Sequence, residues 1–183
     1  MIPERTPRTL SRATGLLILI LAAAALVHDV PSVAAPAPTP PCAAAQYRQL
    51  DFWVGAWDVF DTAAGGRVGT SRIERIMNGC AIGERYDAPS APGGAYAGAS
   101  YSGYDRKDGK WHQLYVDVNG NVTWFTGGLE GSDLVMVAPG RGGTLQRMAY
   151  IPHADGSVQQ VGTVSADGGR SWRAGYDYTY RRK

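Results

Sequence analysis

The chain has 183 residues, of which 44% are hydrophobic, and its formal net charge is +2. It is long enough to build one sizeable core, which favours a single globular domain. A nearly neutral chain has no broad basic surface, so we expect no nucleic-acid partner.

Residues 1–34 are predicted to be a secretory signal peptide. Three arginines precede an uncharged apolar run, Gly15–Val27, and the small residues Ser32-Val33-Ala34 follow as a cleavage site. The alternative is an uncleaved anchor, but this run is shorter than the roughly 20 residues that span a bilayer. We therefore expect a secreted or periplasmic protein with no stable membrane span after cleavage.

A Pro- and Ala-rich linker, residues 35–47, is predicted to precede a folded domain at residues 48–183, with Ala35–Pro41 extended and unpacked. The stretch Ala43–Leu50 is expected to form a short helix that caps one end of the domain. Two cysteines remain in the mature chain, Cys42 and Cys80. An even number in an exported protein favours a disulfide between them; the alternative is two free thiols.

From Trp53 onward, polar and apolar residues alternate and glycine-containing turns recur, which is typical of an all-β barrel or sandwich. Short connections favour antiparallel neighbours. We predict an up-and-down antiparallel β-barrel of about ten strands, with a β-sandwich as the alternative. A barrel of this size leaves room for a small ligand. The predicted strands are 54–62, 67–77, 80–87, 97–106, 110–118, 121–129, 133–138, 144–152, 157–165 and 170–181.

The side-chain alternation predicts which residues face the barrel interior. In the last strand Tyr176, Tyr178 and Tyr180 share one face with other apolar residues, and we expect that face inside. The strand 110–118 is ambiguous. Hydrophobicity would bury the face of His112, Leu114, Val116 and Val118, whereas a polar cavity would need the face of Trp111, Gln113, Tyr115 and Asp117.

The motif Gly55-Ala56-Trp57, after a short helix and at the start of the first strand, resembles the signature of lipocalins and the wider calycin group. The resemblance implies that Trp57 closes one barrel end and that an arginine of the last strand packs across it. Arg182 lies on the same face of the last strand as Tyr176, Tyr178 and Tyr180, so the resemblance assigns this role to Arg182. A guanidinium stacked on an indole gives this arrangement a physical basis.

A wider pattern resembles a bacterial family catalogued as domain of unknown function 1579, whose members are predicted lipocalin-like barrels. The similarity covers about residues 48–181 and implies a fold without implying a reaction. It is carried, in this order, by the segments Phe52–Trp57, Asn78–Glu84, Trp111–Asp117 and Ser165–Trp172.

Several polar and aromatic residues would converge in the cavity if they face inward. A buried Glu84 would have a raised pKa and could act as a general acid or base, and Asp117 is the second catalytic candidate. The alternative for Glu84 is an ion pair with Arg72 or Arg85 that only orders the sheet. The predicted ligand-binding residues are Glu84, Gln113, Tyr115, Trp124, Tyr176 and Tyr178.

No metal or other cofactor is expected. The mature chain has two histidines, His112 and His153, whereas a histidine-based metal site needs about three protein ligands. Haem ligation by His112 is an alternative supported by that residue alone.

The predicted function is binding of a small, partly apolar ligand by a monomer or dimer, with an enzyme less favoured. The alternatives are a cavity enzyme using a carboxylate and a structural or interaction module with a filled core.

Overall fold

A computed structural model of the protein describes residues 41–91 and 93–183. The predicted signal peptide and residues 35–40 of the predicted linker lie outside the described residues. Within the described ranges, no helix is long and apolar enough to cross a membrane.

Ten antiparallel strands form one closed barrel, in which each strand pairs with its neighbours in sequence and β1 pairs with β10. The predicted up-and-down barrel is therefore confirmed, and the sandwich alternative is wrong. The strands are β1 Gly55–Asp61, β2 Arg67–Ile76, β3 Ala81–Ala88, β4 Tyr96–Asp105, β5 Lys110–Asp117, β6 Val122–Glu130, β7 Asp133–Pro139, β8 Leu145–Pro152, β9 Val158–Ser165 and β10 Arg173–Arg182.

In the part of the chain that the structure describes, the helical structure is limited to short 3-10 turns. Two of them, Ala45–Arg48 and Asp51–Trp53, stand in place of the predicted N-terminal helix and precede β1. The others are Met77–Gly79, between β2 and β3, and Arg141–Gly143, between β7 and β8.

One end of the barrel is closed by large aromatic side chains. Trp53 and Trp57 are both fully buried, and the Trp57 indole nitrogen donates to the Trp53 carbonyl at 2.9 Å. Tyr180 of β10 packs edge-on against Trp57, with ring centroids 6.3 Å apart. These residues belong to the hydrophobic core, which also includes Leu50 from the segment before β1.

Arg182 covers this aromatic plug from outside. Its guanidinium carbon lies 4.4 Å from the centre of the Trp57 ring, and its nitrogens donate to the carbonyls of Val54 and Phe52 at 3.1 and 3.3 Å. A Cβ at Gly55 would lie 2.6 Å from a guanidinium nitrogen of Arg182. The structure thus brings Gly55, Trp57 and Arg182 together, and a side chain at position 55 would displace the guanidinium from its present place.

A disulfide holds the N-terminal segment against this closed end. Cys42 and Cys80 are bonded, as predicted, and the Cys42 carbonyl accepts a 2.6 Å hydrogen bond from Arg48. Tyr47 is buried and packs edge-on against Tyr104 of β4. The packed part of the chain therefore begins before residue 48, where the barrel domain was predicted to start.

Replacing Arg182 with alanine should destabilise the barrel by about 1–3 kcal/mol, because the cation–π contact and two charge-assisted hydrogen bonds are lost together. Arg181→Ala is the matched control, since Arg181 stacks on Phe60 on the outer face. It should cost less than about 1 kcal/mol. Urea unfolding measures both variants, and equal losses would contradict the closing role of Arg182.

Candidate functional site

The barrel lumen contains a cavity of about 1080 Å³ that extends from the middle of the barrel to the end opposite the aromatic plug. Its outer part is lined by residues of the β5–β6 and β7–β8 connections, such as Asn121 and Arg141, which form the mouth. Its inner part, here called the floor, includes Glu84, Gln113, Tyr150, Gln160 and Tyr180. The lumen is therefore open at one end.

Glu84 of β3 is the acidic group at the floor. It is 6% exposed, and its carboxylate accepts hydrogen bonds from the Ser71 hydroxyl at 2.9 Å and from the Ser100 hydroxyl at 3.2 Å. Burial raises the pKa of Glu84 to about 7, and the two serine hydrogen bonds only partly oppose this rise. Protonated and ionised forms therefore coexist at neutral pH.

The alternative of an ion pair between Glu84 and Arg72 or Arg85 is wrong. Arg72 and Arg85 face each other across β2 and β3 on the outer surface of the barrel, and Arg72 pairs with Glu74 there. Alternation along β3 turns Glu84 to the opposite face from Arg85. Its hydrogen-bond partners among the described residues are the two serines.

Two sets of neutral side chains, each joined by hydrogen bonds, complete the floor. The Gln113 amide donates to the Ser102 hydroxyl at 3.0 Å and to the Tyr150 hydroxyl at 3.1 Å. The Tyr180 hydroxyl donates to the side-chain amide oxygen of Gln160 at 2.8 Å. Because these buried groups are paired within the wall, they fix the side chains that surround Glu84.

Asp117 lies at the mouth and has a different environment. Its carboxylate accepts hydrogen bonds from the side chain and backbone of Asn121, from the backbone of Asn119 and from the Tyr96 hydroxyl. These bonds outweigh partial burial and lower the pKa of Asp117. The side chain is therefore ionised and mainly orders the β5–β6 turn, which makes it a poor general base at neutral pH.

Three tyrosines lie flat against the cavity wall because each faces a glycine on the adjacent strand. A Cβ added at Gly98 would lie 2.1 Å from the Tyr115 hydroxyl. Added carbons would likewise lie 2.2 Å from the ring of Tyr176 at Gly162 and 3.0 Å from the hydroxyl of Tyr86 at Gly69. The glycines thus keep these rings out of the middle of the lumen.

The structure resolves the ambiguous strand, now β5. Gln113 and Tyr115 line the cavity with Asp117, while Val116 and Val118 are exposed on the outer surface. Hydrophobicity alone would have selected the wrong face, because the lumen is lined largely by tyrosines and polar groups.

Most predicted ligand-binding residues lie together, with one exception. Glu84, Gln113, Tyr115, Tyr176 and Tyr178 all line the cavity, and Tyr176 stacks on Tyr178 with ring centroids 5.2 Å apart. The prediction for Trp124 is wrong. Its side chain is 63% exposed, and it pairs with Leu114 on the outer face of β6 and β5.

His112 lies outside the lumen. Its ring contacts Asp108 at 2.9 Å and Thr126 at 3.1 Å on the outer surface, so it cannot ligate a group held in the cavity. Asp105, Asp108 and His112 lie close enough to share a cation. However, the two aspartates already accept backbone hydrogen bonds within the β4–β5 turn, which explains their positions without an ion.

Several cavity residues were not predicted from the sequence. Tyr150 could have been found from alternation with Met148 along β8, since both face the lumen. Gln160 follows a second glutamine, so alternation does not tell which of the two faces inward. The hydrogen-bond partners of Glu84, Ser71 and Ser100, were also not predicted, because small hydroxyl residues carry no distinctive pattern. Arg141 lies in a turn, where alternation does not apply.

Comparisons with models of known protein families and with curated proteins found no match.

Substituting Glu84 with glutamine should change how stability depends on pH. The pKa of Glu84 is raised on folding from 4.5 to about 7, so the folded state holds its proton more tightly than the unfolded state. Its ionisation therefore destabilises the protein progressively between pH 4.5 and 7, by about 3 kcal/mol at most, and not below that range. The free energy of unfolding of Glu84→Gln relative to wild type should rise by this amount from pH 4.5 to 8, measured in urea. A constant difference across this range would contradict the raised pKa.

The glycine at position 98 provides a test of the wall arrangement. Gly98→Ala should destabilise the barrel by about 1–3 kcal/mol, because the new methyl group displaces Tyr115 and its 2.8 Å contact with the Tyr96 hydroxyl. Gly103→Ala in the same strand is the matched control, since nothing lies within 4 Å of its added Cβ. It should be neutral or stabilising by up to about 1 kcal/mol, since alanine restricts the unfolded chain. Urea unfolding of the two variants distinguishes these outcomes, and equal effects would refute the arrangement.

Proposed function

We propose that this protein is exported and binds a small, partly apolar molecule in its barrel lumen. The observation that carries the proposal is the one-ended cavity of about 1080 Å³, with aromatic walls and a few polar groups at its floor. Small-molecule sites generally combine apolar walls with a few fixed polar groups that orient the ligand. The cavity also argues against the alternative of a module with a filled core.

Export to the periplasm or the extracellular space is part of this proposal. The disulfide between Cys42 and Cys80 supports it, because such bonds persist in oxidising compartments. The predicted signal peptide gives the same destination.

We also propose a relationship to the lipocalin-like family of domain of unknown function 1579. The closed barrel and the stacking of Arg182 on Trp57 beside Gly55 support it, since the resemblance implies this arrangement.

An enzyme that uses Glu84 as a general acid or base is the second candidate. A pKa near 7 suits proton transfer at neutral pH, which is the observation in its favour. The other carboxylate of the cavity, Asp117, is ionised and committed to the β5–β6 turn. Binding therefore accounts for more of the geometry than catalysis does.

The binding proposal predicts that a neutral aromatic dye enters the lumen. N-phenyl-1-naphthylamine should bind wild-type protein with increased fluorescence, because the lumen removes it from water. Thr123→Trp places a large ring into the cavity and should weaken the dye by about tenfold or more, through lost contacts and steric overlap.

Val116→Trp is the control, because Val116 is exposed on the outer face of the neighbouring strand. It should leave the dye affinity unchanged. Equal weakening by both variants, or no binding to wild type, would contradict the proposed lumen site.

A further inference from the structure

We propose that the ligand is an organic cation, an amine or quaternary ammonium on an apolar body, whose charged group lies beside Glu84. This inference rests on the proposed function and specifies the chemical class that the lumen selects. It is carried by the carboxyl group of Glu84, which is buried in a cavity lined by tyrosines and has no cationic partner among residues 41–91 and 93–183.

The described residues leave some hydrogen-bond acceptor positions of the Glu84 carboxylate unused. Its carboxylate is buried and accepts hydrogen bonds from the hydroxyls of Ser71 and Ser100. A carboxylate offers about four acceptor positions, so positions remain for a ligand. The ion pairs found among residues 41–91 and 93–183 all involve other carboxylates. A buried carboxylate without a cation is costly, and a cationic ligand would offset that cost.

Tyrosines form much of the cavity wall around Glu84. Burial, and after it the charge of Glu84, raises the pKa values of Tyr150, Tyr176 and Tyr180. These phenols are therefore neutral at physiological pH. Neutral aromatic faces attract cations, and the attraction is stronger where water is excluded.

Among the residues that the structure describes, no other ionisable group near the floor competes with Glu84. The remaining tyrosines that line the cavity also have raised pKa values, with burial as the main cause, and stay neutral. They are Tyr86 of β3, Tyr96 of β4, Tyr115 of β5 and Tyr178 of β10.

Charged groups are unevenly distributed along the lumen. The cavity lining contains the carboxyl groups of Glu84 and Asp117 and one guanidinium, that of Arg141. Asp117 and Arg141 both contact Asn121 at the mouth, so their charges largely offset each other there. The floor therefore carries the unbalanced negative charge, which favours a cation and disfavours an anionic head group.

Binding of such a cation should release the carboxyl proton from those molecules in which Glu84 is protonated. Burial raises the pKa of Glu84 to about 7, so part of the Glu84 population is protonated at neutral pH. A bound cation favours the ionised form, so the carboxyl proton is released to the buffer. A quaternary ammonium has no proton to exchange, so it isolates this release.

The test compares benzyltrimethylammonium with neopentylbenzene, its neutral isostere, by titration calorimetry at pH 7 in buffers of different ionisation enthalpy. Wild type should bind the cation at least about tenfold more tightly, as expected for a buried charge pair with aromatic contacts. It should also release protons, because the bound cation favours the ionised form of Glu84. Glu84→Gln should lose both the preference and the proton release, while Glu74→Gln, at an exposed carboxylate, should behave as wild type.

The possible failures separate the two proposals. If wild type binds both probes equally, the cation inference is overturned. The same holds if neither probe binds while N-phenyl-1-naphthylamine does, and in each of these cases the lumen remains a binding site. If the dye also fails to bind wild type, both proposals fall. The decisive readouts are made on wild type, so they do not depend on how well Glu84→Gln folds.

Discussion

The pairing of β1 with β10 is the constraint on which this molecule depends. It joins the two ends of the domain, removes the open sheet edges and brings Arg182 directly opposite Trp57. The aromatic plug lies at this seam, and the N-terminal 3-10 turns and the disulfide lie at the same end of the barrel. Because the largest buried side chains cluster there, much of the packing that holds the barrel together lies at one end. The other end can then remain hollow.

Because one end of the barrel is densely packed, the protein can tolerate the buried carboxyl group of Glu84 at the floor of the cavity. Burying Glu84 without a cation opposes folding at neutral pH, since two serine hydrogen bonds replace its hydration only in part. A well-packed plug of Trp53, Trp57 and Tyr180 offsets that cost nearby. Stability and recognition thus depend on different ends of the same strands, and natural proteins often tolerate local destabilisation where a ligand binds.

Much of the fold could be predicted from the sequence because antiparallel strands and glycine turns are local features. Alternation and turn residues placed all ten strands within a few residues, and cysteine number indicated the disulfide. The orientation of strands was harder. On β5 the apolar residues Leu114 and Val116 face outward, so hydrophobicity gave no reliable guide to the inside of a polar lumen. The error for Trp124 has the same origin, because its partner Leu114 lies on that outer face. The partners of Glu84 depend on strand register, which brings Ser71 and Ser100 to it from two other strands.

A barrel that is open at one end imposes a direction on anything that enters it. A molecule must arrive head first, and the group that reaches the floor is the one that entered foremost. Whatever is attached behind that group stays at the mouth, beside Asn121 and Arg141, and its size is not limited by the lumen.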